Sequence, residues 1–128
     1  MHIDRKTIAQ YLDEVKCALR KNRYRISLNA NRGANRKLFQ DYVIDEAMAR
    51  QILLELDVSD FSEVRPNEHE GYENELLYIF GKDVRLLERY GNKEKTVSLY
   101  IKFNKLENCF VIVISFHEQK FPLNYYFK

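Results

Sequence analysis

The sequence predicts one α+β domain, residues 1–128, in which two main helices pack on one face of a mostly antiparallel β-sheet. Apolar residues recur at helical spacing within residues 8–19 and 45–56, and they run together or alternate like strands from residue 75 onward. A length of 128 residues is typical of one domain. A hydrophobic fraction of 45% with 31% charged residues is typical of a folded globular protein, not of a disordered chain.

The first helix is predicted from apolar residues at spacings of four, three and four, namely Ile8, Leu12, Val15 and Leu19. Either Asp4 or Thr7 could supply its N-cap. Cations are concentrated in its last turn, where the helix dipole favours them, so these charges do not require a ligand.

A short strand and a loop are predicted to follow. In Arg23–Leu28 apolar residues alternate with Arg23, Arg25 and Ser27. The basic and amide-rich segment Asn29–Asn35 predicts a loop, which either touches a nucleic-acid backbone or only forms turns. A short helical turn is expected at Lys37–Tyr42.

The second helix is predicted at Asp45–Leu56, with Asp45 as N-cap and Met48, Ile52 and Leu56 on its core face. The acidic stretch Asp57–Glu75 has little periodicity and predicts an irregular connection. Its Glu68-His69-Glu70 suggests a metal site, but adjacent residues do not form a well-arranged ligand set, so we expect no metal and no other cofactor.

The sheet is predicted from residue 75 to the end of the last strand. The apolar run Leu76–Phe80 predicts a strand buried on both faces, and an outer strand is expected around Val84 and Leu86. A turn at Gly91–Lys93 leads into the final hairpin, Thr96–Phe103 paired with Cys109–His117.

The hairpin has two distinct faces. If it closes symmetrically around residues 105–108, Tyr100 lies opposite Val113 and Lys102 opposite Val111. Facing the helices would be Val97, Leu99, Ile101, Phe103, Phe110, Ile112, Ile114 and Phe116. The other face would carry Ser98, Tyr100, Lys102, Val111, Val113, Ser115 and His117. Tyr100 and His117, as diagonal neighbours, lie near enough to address one small ligand. The alternative is that they are ordinary outer-face residues.

Although the net charge is only +2, basic and acidic residues are concentrated in different parts of the sequence. Residues 1–40 contain ten Lys or Arg and three Asp or Glu, whereas residues 41–75 contain two and eleven. A basic region of this kind attracts phosphates, although ordinary solvated faces would also explain it. No run of about 18 apolar residues, no signal-peptide core and only two distant cysteines, Cys17 and Cys109, are present, so we expect a cytoplasmic protein without a membrane partner.

Two motifs of the hairpin resemble the MqsR-type toxins of bacterial type II toxin–antitoxin systems, which are relatives of the RelE-like ribonucleases. They are Leu99-Tyr100-Ile101-Lys102 and Val113-Ile114-Ser115-Phe116-His117-Glu118, with a weaker echo in Ser59-Asp60-Phe61. Tyr100 and Lys102 match the family's Tyr-x-Lys. His117 follows Ser-Phe, where the family has a catalytic lysine, and Glu63 occupies the position of a further family lysine.

The resemblance implies a metal-independent endoribonuclease that cleaves messenger RNA and is neutralised by an antitoxin protein. Its catalytic residues would be His117, Tyr100 and Lys102. A histidine with a reference pKa near 6.5 can act as acid or base, and a lysine can stabilise the phosphorane. RNA phosphates would be held by Arg23, Arg25, Arg32 and Arg36. The alternative is a non-catalytic interaction protein of similar fold that binds a protein or nucleic-acid partner.

The C-terminal tail, Phe121–Lys128, is rich in aromatic residues. We expect it to pack on the domain, over Val111 and Val113 of the second face. The alternatives are that it stacks on RNA or binds an antitoxin.

Overall fold

The computed structural model describes residues 2–29 and 32–128. Within these ranges it contains three helices, α1 (Arg5–Arg20), α2 (Gly33–Asp41) and α3 (Glu46–Leu54), and a 3-10 turn at Val58–Asp60. The strands of the same ranges are β1 (Tyr24–Ile26), β2 (Phe61–Pro66), β3 (Leu76–Leu87), β4 (Glu94–Lys105) and β5 (Val111–Glu118). The α+β class is therefore confirmed. None of the helices in the described residues has the length and apolar character needed to cross a membrane.

The five strands form one sheet in the order β1-β5-β4-β3-β2. Neighbouring strands are antiparallel except β1 and β5, which pair in parallel with Tyr24 opposite Val111 and Ile26 opposite Val113. The predicted mostly antiparallel sheet is therefore present. Its two edge strands, β1 and β2, are both short.

Helices α1 and α3 begin as the capping residues predict. The Asp4 carboxylate accepts a hydrogen bond from the Lys6 amide at 3.0 Å, and the Asp45 carboxylate accepts one from the Met48 amide at 2.9 Å. The four predicted apolar residues of α1 are all buried. In α3, however, Met48 is 41% exposed, because the buried side of this short helix is formed by Ala49 and Leu53.

The core lies between these helices and one face of the sheet. Its largest fully buried side chains include one phenylalanine from each of four strands, namely Phe61, Phe80, Phe103 and Phe116. Each such burial contributes about 2–3 kcal/mol to stability. The opposite side of the sheet, called here the second face, carries Tyr100 and Lys102 of β4.

Three elements differ from the prediction. Helix α2 begins at Gly33, inside the segment predicted as a loop, and has nine residues instead of a single turn. Strand β2 lies within the stretch predicted to be irregular, where a bulge between Phe61 and Glu63 obscures the alternation. The two strands predicted at Leu76–Phe80 and around Val84 are one strand of 12 residues, and the expected burial on both faces holds for Leu77, Ile79 and Phe80.

The C-terminal tail crosses edge strand β2 and passes from the second face to the core side. The Ser62 hydroxyl donates to the Asn124 carbonyl at 2.7 Å, and the Tyr126 amide donates to the Phe61 carbonyl at 3.0 Å. Phe127 then lies near Phe61, with a centroid distance of 6.0 Å. The predicted packing of the tail is confirmed, but its position over Val111 and Val113 is wrong, because both valines lie in the core.

Candidate active site

The site depends on a β-bulge in β5. Lys102 pairs with Ser115, but Phe103 pairs with Val113, so Ile114 is an extra residue in the ladder. An extra residue reverses the alternation of side chains along a strand. Val111 and Val113 therefore lie in the core with 0% exposure, while beyond the bulge it is Phe116 that points inward. Ser115 and His117 are left on the second face.

This bulge makes the predicted register wrong. Tyr100 lies opposite His117, not opposite Val113, and Lys102 lies opposite Ser115, not opposite Val111. Phe110, Ile112 and Ile114 are outside the main core cluster, contrary to the prediction. The pattern could not decide between the two arrangements, because residues 110–114 are apolar on both faces of the strand.

Asn35, the third residue of α2, fixes the backbone at the bulge. Its side-chain amide donates to the carbonyls of Ser27 at 2.7 Å and Ile114 at 2.8 Å, and its carbonyl oxygen accepts from the Phe116 amide at 2.8 Å. These three partners assign the orientation of the amide unambiguously. Asn35 is 1% exposed, and its side chain pairs with β5 as a neighbouring strand would. The last residue that it binds, Phe116, directly precedes His117.

Tyr100 and His117 form the centre of the site. Their rings are nearly parallel, with centroids 5.2 Å apart and an interplanar angle of 11°. The Nδ1 atom of His117 lies 2.8 Å from the Glu118 carbonyl oxygen, which can only accept, so Nδ1 carries the proton and Nε2 has the lone pair. Burial lowers the pKa of His117, the hydrogen bond to the Glu118 carbonyl partly opposes this, and the positive charges of Lys120 and Lys102 lower the pKa further. The neutral imidazole is therefore favoured near neutral pH.

Lys102 lies one rung from this pair, between Ser115 on β5 and the buried Ile79 on β3. Burial lowers the pKa of its ammonium group, and the nearby Arg32 and Arg65 lower it further. Burial raises the pKa of the Tyr100 phenol, so this hydroxyl remains a hydrogen-bond donor. The site thus combines an uncharged imidazole, a phenol and a destabilised ammonium group.

These side chains line a cleft of about 580 Å³ on the second face. Its lining consists of Ser62, Glu63, Arg65, Tyr100, Lys102, Ser115, His117, Lys120, Phe121, Pro122, Leu123 and Asn124. A second hollow of about 200 Å³ shares Arg65 and Lys102 with it and adds Arg32 and His69. The two hollows adjoin at these two shared side chains and are together called here the groove.

The four arginines predicted to bind RNA have different positions. Arg32 lines the groove. Arg25 is exposed opposite Ile112, toward the far end of β5 from His117. Arg23 donates from its guanidinium to the Asn108 carbonyl at 2.9 Å, at the β4–β5 turn. Arg36 is exposed on α2, outside the lining of the groove.

The wall of the groove formed by β2 and the tail is absent from the site predicted from the sequence. Arg65 and Lys120 add positive charge there, and Phe121 adds an exposed ring. Arg65 also forms an ion pair with Glu63, with Nε and Oε1 2.7 Å apart. The available signal was the Asp57–Asp60 capping box, which begins the 3-10 turn that leads directly into β2.

The segment proposed and rejected as a metal site, Glu68-His69-Glu70, is exposed. Within residues 2–29 and 32–128, no three His, Cys, Asp or Glu side chains gather closely enough to hold a metal ion. Both cysteines are free and exposed. The groove itself is lined by an imidazole, a phenol, amino groups and guanidinium groups.

Comparisons of the chain with protein families, with curated proteins and with solved structures found no match.

Proposed function

We propose that this protein is a metal-independent endoribonuclease of the toxin type, which cleaves messenger RNA in the groove and is neutralised by an antitoxin protein. The observation that carries the proposal is the His117 imidazole, held against Tyr100 with Nδ1 bonded to a carbonyl, beside Lys102 in a cationic cleft. The motif resemblance to MqsR-type toxins supports the substrate and the antitoxin. Messenger RNA as substrate implies a cytoplasmic protein.

His117 is the general base of the proposed reaction. Its Nε2 lone pair accepts the proton of the RNA 2′-hydroxyl as that oxygen attacks the adjacent phosphorus. Because Nδ1 donates to the Glu118 carbonyl, the imidazolium formed in this step keeps a hydrogen bond that stabilises it. A lowered pKa keeps the base unprotonated at neutral pH, which favours this role over that of an acid.

Lys102 is the proton donor of the same step. The bond from phosphorus to the 5′-oxygen breaks, and that oxygen takes a proton from the ammonium group, leaving a 2′,3′-cyclic phosphate and a 5′-hydroxyl. A lowered pKa makes Lys102 a stronger acid than an exposed lysine. The Tyr100 hydroxyl, kept protonated by its raised pKa, is a donor to a phosphoryl oxygen.

Arg65 compensates for Glu63, which stands where the family has a lysine. Both side chains line the cleft, and the guanidinium lies two residues further along β2 than the family's cation. With Arg32 and Lys120 it surrounds Lys102 and His117 with positive charge. Charge of this kind dominates the affinity of proteins for nucleic acid.

The test is cleavage of a single-stranded RNA oligonucleotide by the purified protein in the presence of EDTA. We expect products ending in a 2′,3′-cyclic phosphate, and a loss of at least about 100-fold in rate for His117→Ala, since a general base contributes on this order. The matched control is His2→Ala, which removes an exposed histidine outside the groove and should leave the rate unchanged. No cleavage by the wild type, together with no growth arrest on expression in a bacterium, would refute the proposal.

A second candidate function is RNA or protein binding without catalysis. The observation that favours it is the Glu63 carboxylate in the wall of the cleft, which partly neutralises Arg65. Salt-sensitive binding of the oligonucleotide without any cleavage would support this function over the first.

A further inference from the structure

Phe121 is the exception among the aromatic residues of the tail. Its side chain is 81% exposed, against 38% for Tyr126, whose ring lies near Phe61, and Tyr125 and Phe127 are half-buried. It lies at the rim of the groove, next to Lys120 and Pro122 in the lining of the cleft. The packing that holds the rest of the tail therefore does not account for this ring.

The segment that carries Phe121 is anchored on both sides. The backbone amide of Gln119 donates to the Ser98 carbonyl at 2.8 Å, and the side-chain amide of Gln119 donates to the Leu99 carbonyl at 2.9 Å. The same side chain accepts from the Leu123 amide at 3.2 Å, which closes the loop between them. One residue later, the Asn124 carbonyl accepts from the Ser62 hydroxyl.

This loop also packs closely against the sheet at Gly81. Leu123 and Tyr125 lie over Gly81, where a Cβ atom would come within 2.8 Å of Leu123 and would overlap the Tyr125 hydroxyl. A side chain at this position would force the ends of the Leu123 and Tyr125 side chains to shift. Phe121 is therefore held exposed by a fixed backbone, not left exposed by a loose chain end.

A fixed aromatic ring beside a cationic groove is the arrangement by which proteins bind unpaired nucleic-acid bases. Base–aromatic stacking works with any base because every base has a π-face, and substitution of the ring by alanine typically weakens binding by about 10- to 100-fold. Phosphates bound by Lys120 and Lys102 would bring the base of the same nucleotide to the tail side of the groove.

We propose that Phe121 is a stacking platform for an unpaired base next to the scissile phosphate, so that the groove accepts single-stranded RNA. This inference rests on the proposed function and adds the substrate class and a positioning residue. The second hollow, which Arg32 and Arg65 line together with Lys102, is where the following phosphates of the strand would run. A base inside a duplex is already stacked and cannot be offered to the ring.

The experiment measures binding apart from cleavage. The probe is a short single-stranded RNA with 2′-O-methyl groups throughout, which cannot be cleaved, and with the fluorescent adenine analogue aminopurine. We expect stacking to quench its fluorescence, Phe121→Ala to weaken binding at least about 10-fold and remove the quenching, and Phe121→Trp to restore both. The matched control is Tyr90→Ala, which removes a ring that is 89% exposed in the β3–β4 turn, away from the groove.

Four results would overturn the inference. Affinity and quenching of Phe121→Ala within twofold of wild type would show that the ring does not stack, and equal loss for Tyr90→Ala would show an unspecific effect. Equal affinity for a duplex of the same sequence would remove the single-strand requirement. In these three cases, cleavage of RNA by the wild type in EDTA would still support the proposed ribonuclease function. If the wild type neither cleaves RNA nor binds the probe, both proposals are overturned.

Discussion

Replacing Asn35 by alanine or aspartate tests how the site is held in place. The alanine variant removes all three hydrogen bonds that the side chain makes to the backbone of Ser27, Ile114 and Phe116. The aspartate variant has nearly the same shape but loses both donors, and it sets a carboxylate oxygen against two carbonyl oxygens. We therefore expect aspartate to destabilise the protein at least as much as alanine does.

The magnitude follows from the burial of the three partners. The bonds to Ile114 and from Phe116 are buried, and an unsatisfied buried group costs about 1–3 kcal/mol. The bond to Ser27 is only partly buried, so water can replace it and its loss costs about 0.5–1 kcal/mol. Together these values predict a loss of roughly 2.5–7 kcal/mol. That is a large part of the total stability of about 5–15 kcal/mol that is usual for a domain.

The assay is urea unfolding followed by circular dichroism. The control is Gln40→Ala, an exposed position on the same helix, which should change the free energy of unfolding by less than about 0.5 kcal/mol. In native hydrogen exchange, the Phe116 amide should exchange faster in the alanine variant, because it loses its acceptor. If the free energy of unfolding of Asn35→Asp stays within about 1 kcal/mol of wild type, the reasoning is refuted, since this variant keeps the shape of the side chain and changes only its hydrogen bonding and charge.

Three further predictions concern the tail, the base and the charge of the groove. Gly81→Ala should displace the tail and cost about 1–3 kcal/mol in urea unfolding, whereas Gly33→Ala, where a Cβ meets nothing within 4 Å, should not destabilise; equal effects would contradict the tail contact. The pKa of His117, measured by NMR, should lie below 6.5, and the cleavage rate should fall as pH drops through that lowered value. Because the unfolded chain takes up this proton first, the free energy of unfolding should also fall with pH from about 6.5 down to the folded pKa, and His117→Asn should remove that contribution; a pKa above 6.5 would exclude it. Arg32→Gln should reduce the salt dependence of RNA binding by about one counterion, and Arg36→Gln should not; the opposite order would contradict the placement of Arg32 in the groove.

Strand β4 was predictable because its two faces differ in chemistry. Val97, Leu99 and Ile101 alternate with Ser98 and polar neighbours, and only one arrangement buries the apolar set. The same signal placed Tyr100 and Lys102 on the second face.

Strand β5 was not predictable by the same means. Val111 and Val113 compete with Ile112 and Ile114 for the core, and either set is apolar enough to fill it. The choice is made by a bulge whose backbone groups are satisfied by Asn35, which lies 79 residues before Ile114 in the chain. Alternation within one strand contains no information about so distant a partner.

The second wall of the groove was missed for a related reason. β2 begins with a bulge at its first residues and ends at Pro66, which breaks the alternation that identifies a strand. The position of Phe121 depends in turn on where the tail crosses β2. An error in one edge strand therefore removed both Arg65 and Phe121 from the predicted site.

The hydrogen bonds of Asn35 to the backbone of β5 also protect the protein against self-association. Residues 111–116 of β5, Val-Ile-Val-Ile-Ser-Phe, are uncharged and rich in β-branched side chains, which is the composition of segments that form amyloid-like contacts. β1 covers the outer edge of β5 only as far as Val113. Beyond that point Asn35 occupies the carbonyl of Ile114 and the amide of Phe116, to which the strand of another molecule could otherwise add. One asparagine thus protects an uncharged, β-branched strand at the place where its sheet partner ends.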